Sequence, residues 1–316
     1  VSTVSVSRRD FLRKAGLAGL ATPAVALLPE TAVASEGAEL SEDWMGVLVD
    51  IQKCIGCRRC EAACNEANGF EVPTDEELTA TSVFAEHRRP GPHHHTTINR
   101  FPPRDGGVED GAIFAKANCL HCNKPACVSA CLVGAFRKLD DGPVVYDAWK
   151  CMGCRYCMVA CPFQIPTYEY DYLLTPQVRK CTMCANEGNP NKGGVPACVQ
   201  TCPKEVMTYG KRSELLTEAH EKIARHPDLY RDHVYGEHEV GGTSWLYLAP
   251  KDHSFEELGF LSLDSSPPPM RTERIQHGIF KYFIPPLAWY GLLGAVMWVA
   301  RPGADDKWQE PAKDGS

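Results

Sequence analysis

The sequence has no cysteine before Cys54 and none after Cys202, although sixteen lie between those positions. That confinement argues against a disulfide framework, which is less tightly grouped and belongs to shorter chains. Positive charge is also in short supply: 33 Lys and Arg stand against 40 Asp and Glu, a formal net charge of -7. A phosphate backbone calls for a basic face, so this balance argues against nucleic acid as a partner. Runs such as His87-Arg88-Arg89 read as solvated loop. There is no serine–histidine–acid set, no phosphate-cradling loop and no pair of carboxylates with a claim to chemistry. Nothing in the chain resembles a nickel or molybdenum site, so a catalytic centre is expected on another chain.

The two ends differ from the middle. Ser7-Arg8-Arg9-Asp10-Phe11-Leu12-Arg13 resembles a twin-arginine export signal, Ala15 to Leu28 is a short apolar run, and Ala32-Val33-Ala34 fits a cleavage site leaving Ser35 first. Residues 1–34 are therefore expected to be a signal peptide of the route that exports folded proteins. Such a route suits a chain whose cofactor is inserted before crossing. Near the other end, Tyr282 to Ala300 carries no charge. At about 1.5 Å per residue it is long enough to cross a hydrocarbon core of roughly 30 Å. Tyr282, Trp289, Tyr290 and Trp298 are placed as interfacial anchors. The expectation is a single-pass protein on the periplasmic side of the cytoplasmic membrane. A domain over 35–265 lies outside, followed by a linker over 266–281, the span over 282–300 and a cytoplasmic tail over 301–316.

The cysteines fall into four groups: Cys54, Cys57, Cys60 and Cys64; Cys119, Cys122, Cys127 and Cys131; Cys151, Cys154, Cys157 and Cys161; Cys181, Cys184, Cys198 and Cys202. Every group ends in C-x3-C, and two end in Cys-Pro, as in the bacterial ferredoxin run. One CxxC pair could be zinc or redox chemistry, but four complete groups with no cysteine left over point to cubane iron–sulfur clusters. Three close thiolates let a tight loop wrap a cluster, with Gly56 and Gly153 easing the turn. The fourth, about a turn into a following helix, points to a neighbouring cluster. Sixteen thiolates thus make four clusters in two pairs. Backbone N–H groups in the loops would stabilise sulfur charge, and apolar neighbours such as Ile55 and Val159 would exclude water. His121 reads as a donor to cluster sulfur or backbone rather than an iron ligand. His93-His94-His95 reads as solvated loop.

Between Cys131 and Cys151 the sequence reads as strand, Asp140-Asp141-Gly142 turn, strand, whereas the gap from Cys161 to Cys181, with Pro162, Pro166 and Pro176, shows no such hairpin. Groups two and three should therefore pair, over about 113–170, leaving one and four to close around them, over about 45–64 and 171–210. Strand-like pieces at Gly46–Ile51, Ile113–Ala117 and Val206–Tyr209 fit small sheets beside the clusters. The fold expected is α+β: two pseudo-symmetric bacterial-ferredoxin-like, double-cubane units with loop insertions, plus one C-terminal transmembrane helix.

From Cys54 through the apolar span the chain resembles the four-cluster ferredoxin-like subunits of respiratory oxidoreductases. Within them it is most similar to the iron–sulfur partner of membrane-bound nickel–iron hydrogenases of the hydrogenase-2 type. The stretches that carry this are "CRYCMVACPF", "KGGVPACVQTCP", "YGKRSELLTEA", "GGTSWLYL" and "RTERIQHGIFKYFIPPLA". Membrane-bound formate dehydrogenase subunits share the anchor and a similar "GGT" strand. The resemblance implies four 4Fe–4S clusters: one on Cys54, Cys57, Cys60 and Cys202, a second on Cys181, Cys184, Cys198 and Cys64. It assigns a third to Cys119, Cys122, Cys127 and Cys161, and a fourth to Cys151, Cys154, Cys157 and Cys131. It implies an electron-transfer role between a periplasmic catalytic hydrogenase subunit and a membrane quinone-reactive subunit. The same role in a molybdenum or tungsten enzyme, and a stand-alone anchored ferredoxin, stay open.

Overall fold

The computed structural model describes residues 44–103, 111–172 and 176–270, with isolated positions between 290 and 297. Those isolated positions apart, the expected signal peptide, apolar span and tail lie outside the described residues, as does the linker from 271 onward. Among the described residues no helix is long and apolar enough to cross a membrane.

In chain order the first elements are β1 (Met45–Asp50), α1 (Arg59–Ala67), α2 (Asp75–Thr79), β2 (Thr97–Phe101), β3 (Ile113–Ala117), α3 (Ala126–Ser129), β4 (Phe136–Lys138) and β5 (Val144–Tyr146). There follow α4 (Tyr156–Ala160), β6 (Thr167–Tyr168), β7 (Val178–Arg179), α5 (Ala197–Gln200), β8 (Met207–Lys211), α6 (Arg212–Arg225), β9 (Tyr230–Tyr235) and β10 (Trp245–Pro250). β1 stops at Asp50 because Ile51–Lys53 winds into a 3₁₀ turn that aims the chain at Cys54. The strand expected at 206–209 runs instead from Met207 to Lys211.

One sheet has the order β8-β1-β10-β9. β10 is parallel to β1, with Val47 opposite Trp245, and β8 is antiparallel to it, with Val47 opposite Tyr209. Both central strands are buried on both faces, which explains their near-continuous apolar runs. Alternation along the strands divides the labour. Leu48, Leu246 and Leu248 meet Leu215, Ala219 and Ile223, an every-fourth-residue stripe on α6. Val47, Val49, Trp245 and Tyr247 face the other way, into a core shared with Cys60, Cys198 and Met183.

The hairpin expected between groups two and three is present: β4 pairs with β5, Phe136 opposite Tyr146, and Gly142 takes the turn at φ 112°. The gap between Cys161 and Cys181 departs from expectation, since β6 and β7 form a short antiparallel pair with Thr167 opposite Arg179. Pro166 and Pro176 lie just outside it and are not asked for an N–H, so they bound the pair rather than prevent it.

The internal repeat reaches the backbone angles. Gly56 and Gly153 have φ 70° and 73°, the helix-capping Arg58 and Arg155 have 58° and 59°, and His121 and Met183 have 50° and 56°. Pro-Ala-Cys-Val opens both α3 and α5. α1 packs on α5 and α3 on α4, so the helices of groups one and four meet, as do those of groups two and three. The architecture is two ferredoxin-like regions of mixed helix and sheet.

Candidate iron–sulfur sites

β1 delivers the chain to Cys54, and Gly56 turns it under the Phe114 ring, where a Cβ would lie 2.5 Å from ring atoms. Only glycine fits that approach at positive φ. Arg58 in the left-handed region then starts α1, which carries Cys60 and Cys64 one turn apart. Cys54, Cys57 and Cys60 line one cavity with Cys202, which arrives just past the end of α5, and with Lys116. A second cavity is lined by Cys119, Cys122, Cys127 and Cys161, with His121 and Lys180. Of the four group-ending cysteines only Cys64 lies within a helix; Cys131, Cys161 and Cys202 follow α3, α4 and α5, whose single turns end before them.

Burial pushes the Cys54 thiol up to about 11; the Gly56 N–H opposes this, and Cys57 and Cys202 add to it. Cys64 is driven well above the usual thiol range by burial and then by Cys181, Cys198 and Cys184, residues far from it in sequence. Cys157 is pushed up to about 11 by burial, then by Cys151, Cys131 and Cys154. Cys122 is raised by burial, then by Cys161, Cys119 and Cys127. Thiols drawn from different sequence groups therefore lie within electrostatic reach of one another. Iron binding at such sites displaces their protons, which couples loading to pH.

The donor set fits 4Fe–4S clusters. All sixteen cysteines are free thiols. Among the described residues no three His, Cys, Asp or Glu side chains close on a single ion, as zinc at a Zn–S distance of about 2.3 Å would require. A cubane takes one thiolate on each of its four iron atoms, and each of the two cavities is lined by four cysteines drawn from two sequence groups. Backbone N–H groups sit against sulfur, Ala135 N to Cys131 Sγ at 3.2 Å and Val206 N to Cys202 Sγ at 3.4 Å. Oriented amides of this kind stabilise sulfur charge.

Two lysines that the sequence reading missed are buried here. Lys116 Nζ donates to Thr96 Oγ1 at 2.8 Å and Asn118 Oδ1 at 3.1 Å. Burial would lower its pKa, but Cys198, Cys60, Cys181 and Cys64 outweigh that and raise it. Lys180 Nζ donates to the carbonyls of Val144 at 2.6 Å and Cys181 at 2.9 Å. The arrangement is crossed: the strand leading into group two sends Lys116 beneath the Cys54 set, and the strand leading into group four sends Lys180 beneath the Cys119 set. A lysine in a short strand, like Lys116, or just past one, like Lys180, reads from sequence as solvent-facing, so no local signal marked either one.

Other expectations are corrected. Ile55 and Val159 do not exclude water as expected: Ile55 is half-exposed and Val159 is 82 % exposed. Arg88 is partly buried rather than solvated, whereas His87 and Arg89 are exposed as expected. Arg88 donates to Ile98 O and forms an ion pair with Glu61, which is also held by Arg58, while Arg89 donates to the carbonyls of Phe163 and Gln164. His95 is buried edge-on against Phe70 at 4.8 Å, His94 is partly buried, and His93 is half-exposed beside Asp171.

A model described as a 4Fe-4S dicluster domain matches residues 111–212, and a second of the same description matches residues 53–135. A protein of Nitratidesulfovibrio vulgaris is 44 % identical over 261 residues, 80 % of this chain and 68 % of that protein. The hydrogenase-2 operon protein HybA of Escherichia coli O157:H7 is 32 % identical over 330 residues, 95 % of this chain and 97 % of that protein. The nitrate-inducible formate dehydrogenase iron-sulfur subunit of Escherichia coli K12 is 32 % identical over 204 residues, 64 % of this chain and 66 % of that protein. With paired cysteine-rich loops, two dicluster regions and such relatives, the chain belongs to the family of ferredoxin-like iron–sulfur subunits of respiratory oxidoreductases and carries four 4Fe–4S clusters.

Proposed function

We propose that this protein relays electrons between a periplasmic nickel–iron uptake hydrogenase and a membrane subunit that reacts with quinone. The observation that carries this reading is the match to HybA over nearly the full length of both chains. The four ligand sets proposed are Cys54, Cys57, Cys60 and Cys202; Cys64, Cys181, Cys184 and Cys198; Cys119, Cys122, Cys127 and Cys161; Cys131, Cys151, Cys154 and Cys157. The linings of the two cavities support the first and third, and the thiol neighbours of Cys64 and Cys157 support the other two. A bound 4Fe–4S cluster takes up and returns one electron without bond-making at carbon. The protein supplies thiolates, backbone N–H groups and the buried charges of Lys116 and Lys180.

A surface feature supports fixed partners over a free ferredoxin. Cys154 alone of the sixteen is exposed. Between groups two and three, within group three and in the segment that follows, Leu132, Trp149, Met152, Tyr156, Val159 and Tyr170 are exposed. So many large apolar side chains on one stretch of a ferredoxin-like unit mark an interface. The proposal includes twin-arginine export, a single C-terminal span and a location on the periplasmic face of the cytoplasmic membrane, supported by the sequence features at the two ends.

The formate dehydrogenase relatives favour a second reading, the same role beside a molybdenum or tungsten centre. Purification in mild detergent followed by metal analysis tests both. Nickel in the co-purifying complex is expected; molybdenum or tungsten would transfer the reading to the second enzyme class, and recovery of the chain alone would favour a free ferredoxin.

A further inference from the structure

His121 lies between Cys119 and Cys122, has φ 50° and is completely buried. The residue lines the cavity formed with Cys119, Cys122, Cys127 and Cys161. One contact decides its chemistry: the backbone N–H of Val144 donates to Nδ1 at 2.9 Å. A ring nitrogen that accepts carries no proton, so the imidazole is neutral and its hydrogen is on Nε2. That Nε2 is buried and has no hydrogen-bond partner among the described residues. Buried donors are almost always paired, so a lone N–H beside four thiols calls for a sulfur acceptor. An imidazole whose Nδ1 is already engaged by backbone and whose Nε2 carries the proton is not a metal ligand.

The mounting of the ring is rigid. Val144 belongs to β5, and while its N–H holds His121 its carbonyl receives Lys180 Nζ at 2.6 Å. Lys138 Nζ donates to the carbonyls of His121 and Cys122, at 3.3 and 3.1 Å. The repeat supplies an internal comparison. Met183 occupies the matching place in Cys181-Thr182-Met183-Cys184, with nearly the same φ of 56°, and its side chain has no N–H.

We infer that His121 donates its Nε2–H to a sulfur of the cluster held by Cys119, Cys122, Cys127 and Cys161, and raises the reduction potential of that one cluster. The inference rests on the ligand set proposed above. A donor on sulfur stabilises the added negative charge of the reduced state more than the charge of the oxidised state. His121 is thus a tuning residue rather than a ligand, and the two inner loops of the repeat, alike in backbone, present different electronics.

The test uses the full chain in its complex, with iron and sulfide analysis and an EPR-monitored redox titration. His121→Leu should keep about sixteen iron per chain and shift one of four midpoints to lower potential, leaving three in place. His121→Gln, whose amide N–H reaches about where Nε2 lies, should recover most of the shift. Full iron with four unchanged midpoints in His121→Leu would overturn the inference. Should neither variant load iron, pulsed EPR of the wild-type protein with 15N-labelled histidine decides. A weak nitrogen coupling on one reduced cluster is expected, while no coupling, or the strong coupling of a bound nitrogen, overturns it. Cys122→Ser separates this from the ligand assignment: it should perturb the cluster that His121→Leu shifts. If a different cluster changes, the ligand set is wrong and the hydrogen bond is not.

Discussion

The ammonium of Lys116 sits 4.6 Å from the centroid of the Trp245 ring. Lys116 comes from the strand before group two and Trp245 from the central strand β10, and the indole is fully buried. The ring face supplies an apolar wall that still favours a cation. With Thr96 and Asn118 taking two of its protons, Lys116 remains charged under the thiols of groups one and four.

Lys116→Met should lower the potentials of the clusters proposed for the Cys54 and Cys181 sets while leaving the other two in place. For one charge about 8 Å away at an effective dielectric near 20, the effect is on the order of 2 kcal/mol per electron. Redox titration of the variant measures it, and equal shifts in all four clusters would remove Lys116 from this role.

Chemical analysis gives the plainest check on the cluster count. Fully loaded protein should contain about sixteen iron and sixteen labile sulfide per chain. Values near eight iron, or abundant zinc, would contradict four cubanes.

Cys64 tests the crossing. It sits in the first group by sequence, yet its thiol neighbours are Cys181, Cys198 and Cys184. Cys64→Ala should give the spectrum of Cys181→Ala, not that of Cys54→Ala. A match to Cys54→Ala, with the Cys181 cluster intact, would mean that each group holds its own cluster.

Trp149 is 96 % exposed and Val159 82 % exposed, and neither lines the cysteine cavities described above. Replacing both with Glu should leave iron content unchanged and weaken co-purification of partner chains by tenfold or more, roughly 1.4 kcal/mol. Undiminished recovery of the complex would show that this surface is not the interface.

The proposed export signal is checked by Arg8→Lys combined with Arg9→Lys. The cluster-loaded precursor should remain in the cytoplasm, read by fractionation and immunoblot. Normal periplasmic accumulation would mean that a partner's signal carries the chain or that another route operates.

Cysteine spacing alone was enough to specify ligand type, cluster number and the repeat, because a cubane needs thiolates at short fixed intervals along a loop. The β4–β5 hairpin was legible too, since Asp140-Asp141-Gly142 between two strand-like stretches is a local turn signal. The β6–β7 pair was not, because two-residue strands leave almost no period to detect. His95 was misread for a related reason: its burial comes from Phe70 and the folded insertion, which no local pattern records. Only the tertiary structure placed Lys116 and Lys180 under the opposite cysteine sets and gave His121 a defined tautomer. Those properties depend on contacts such as Val144 N to His121 Nδ1, made between residues 23 apart by a strand crossing over the loop. A sequence states which donors exist; which of them meets an acceptor, and which is left facing sulfur, is decided by packing.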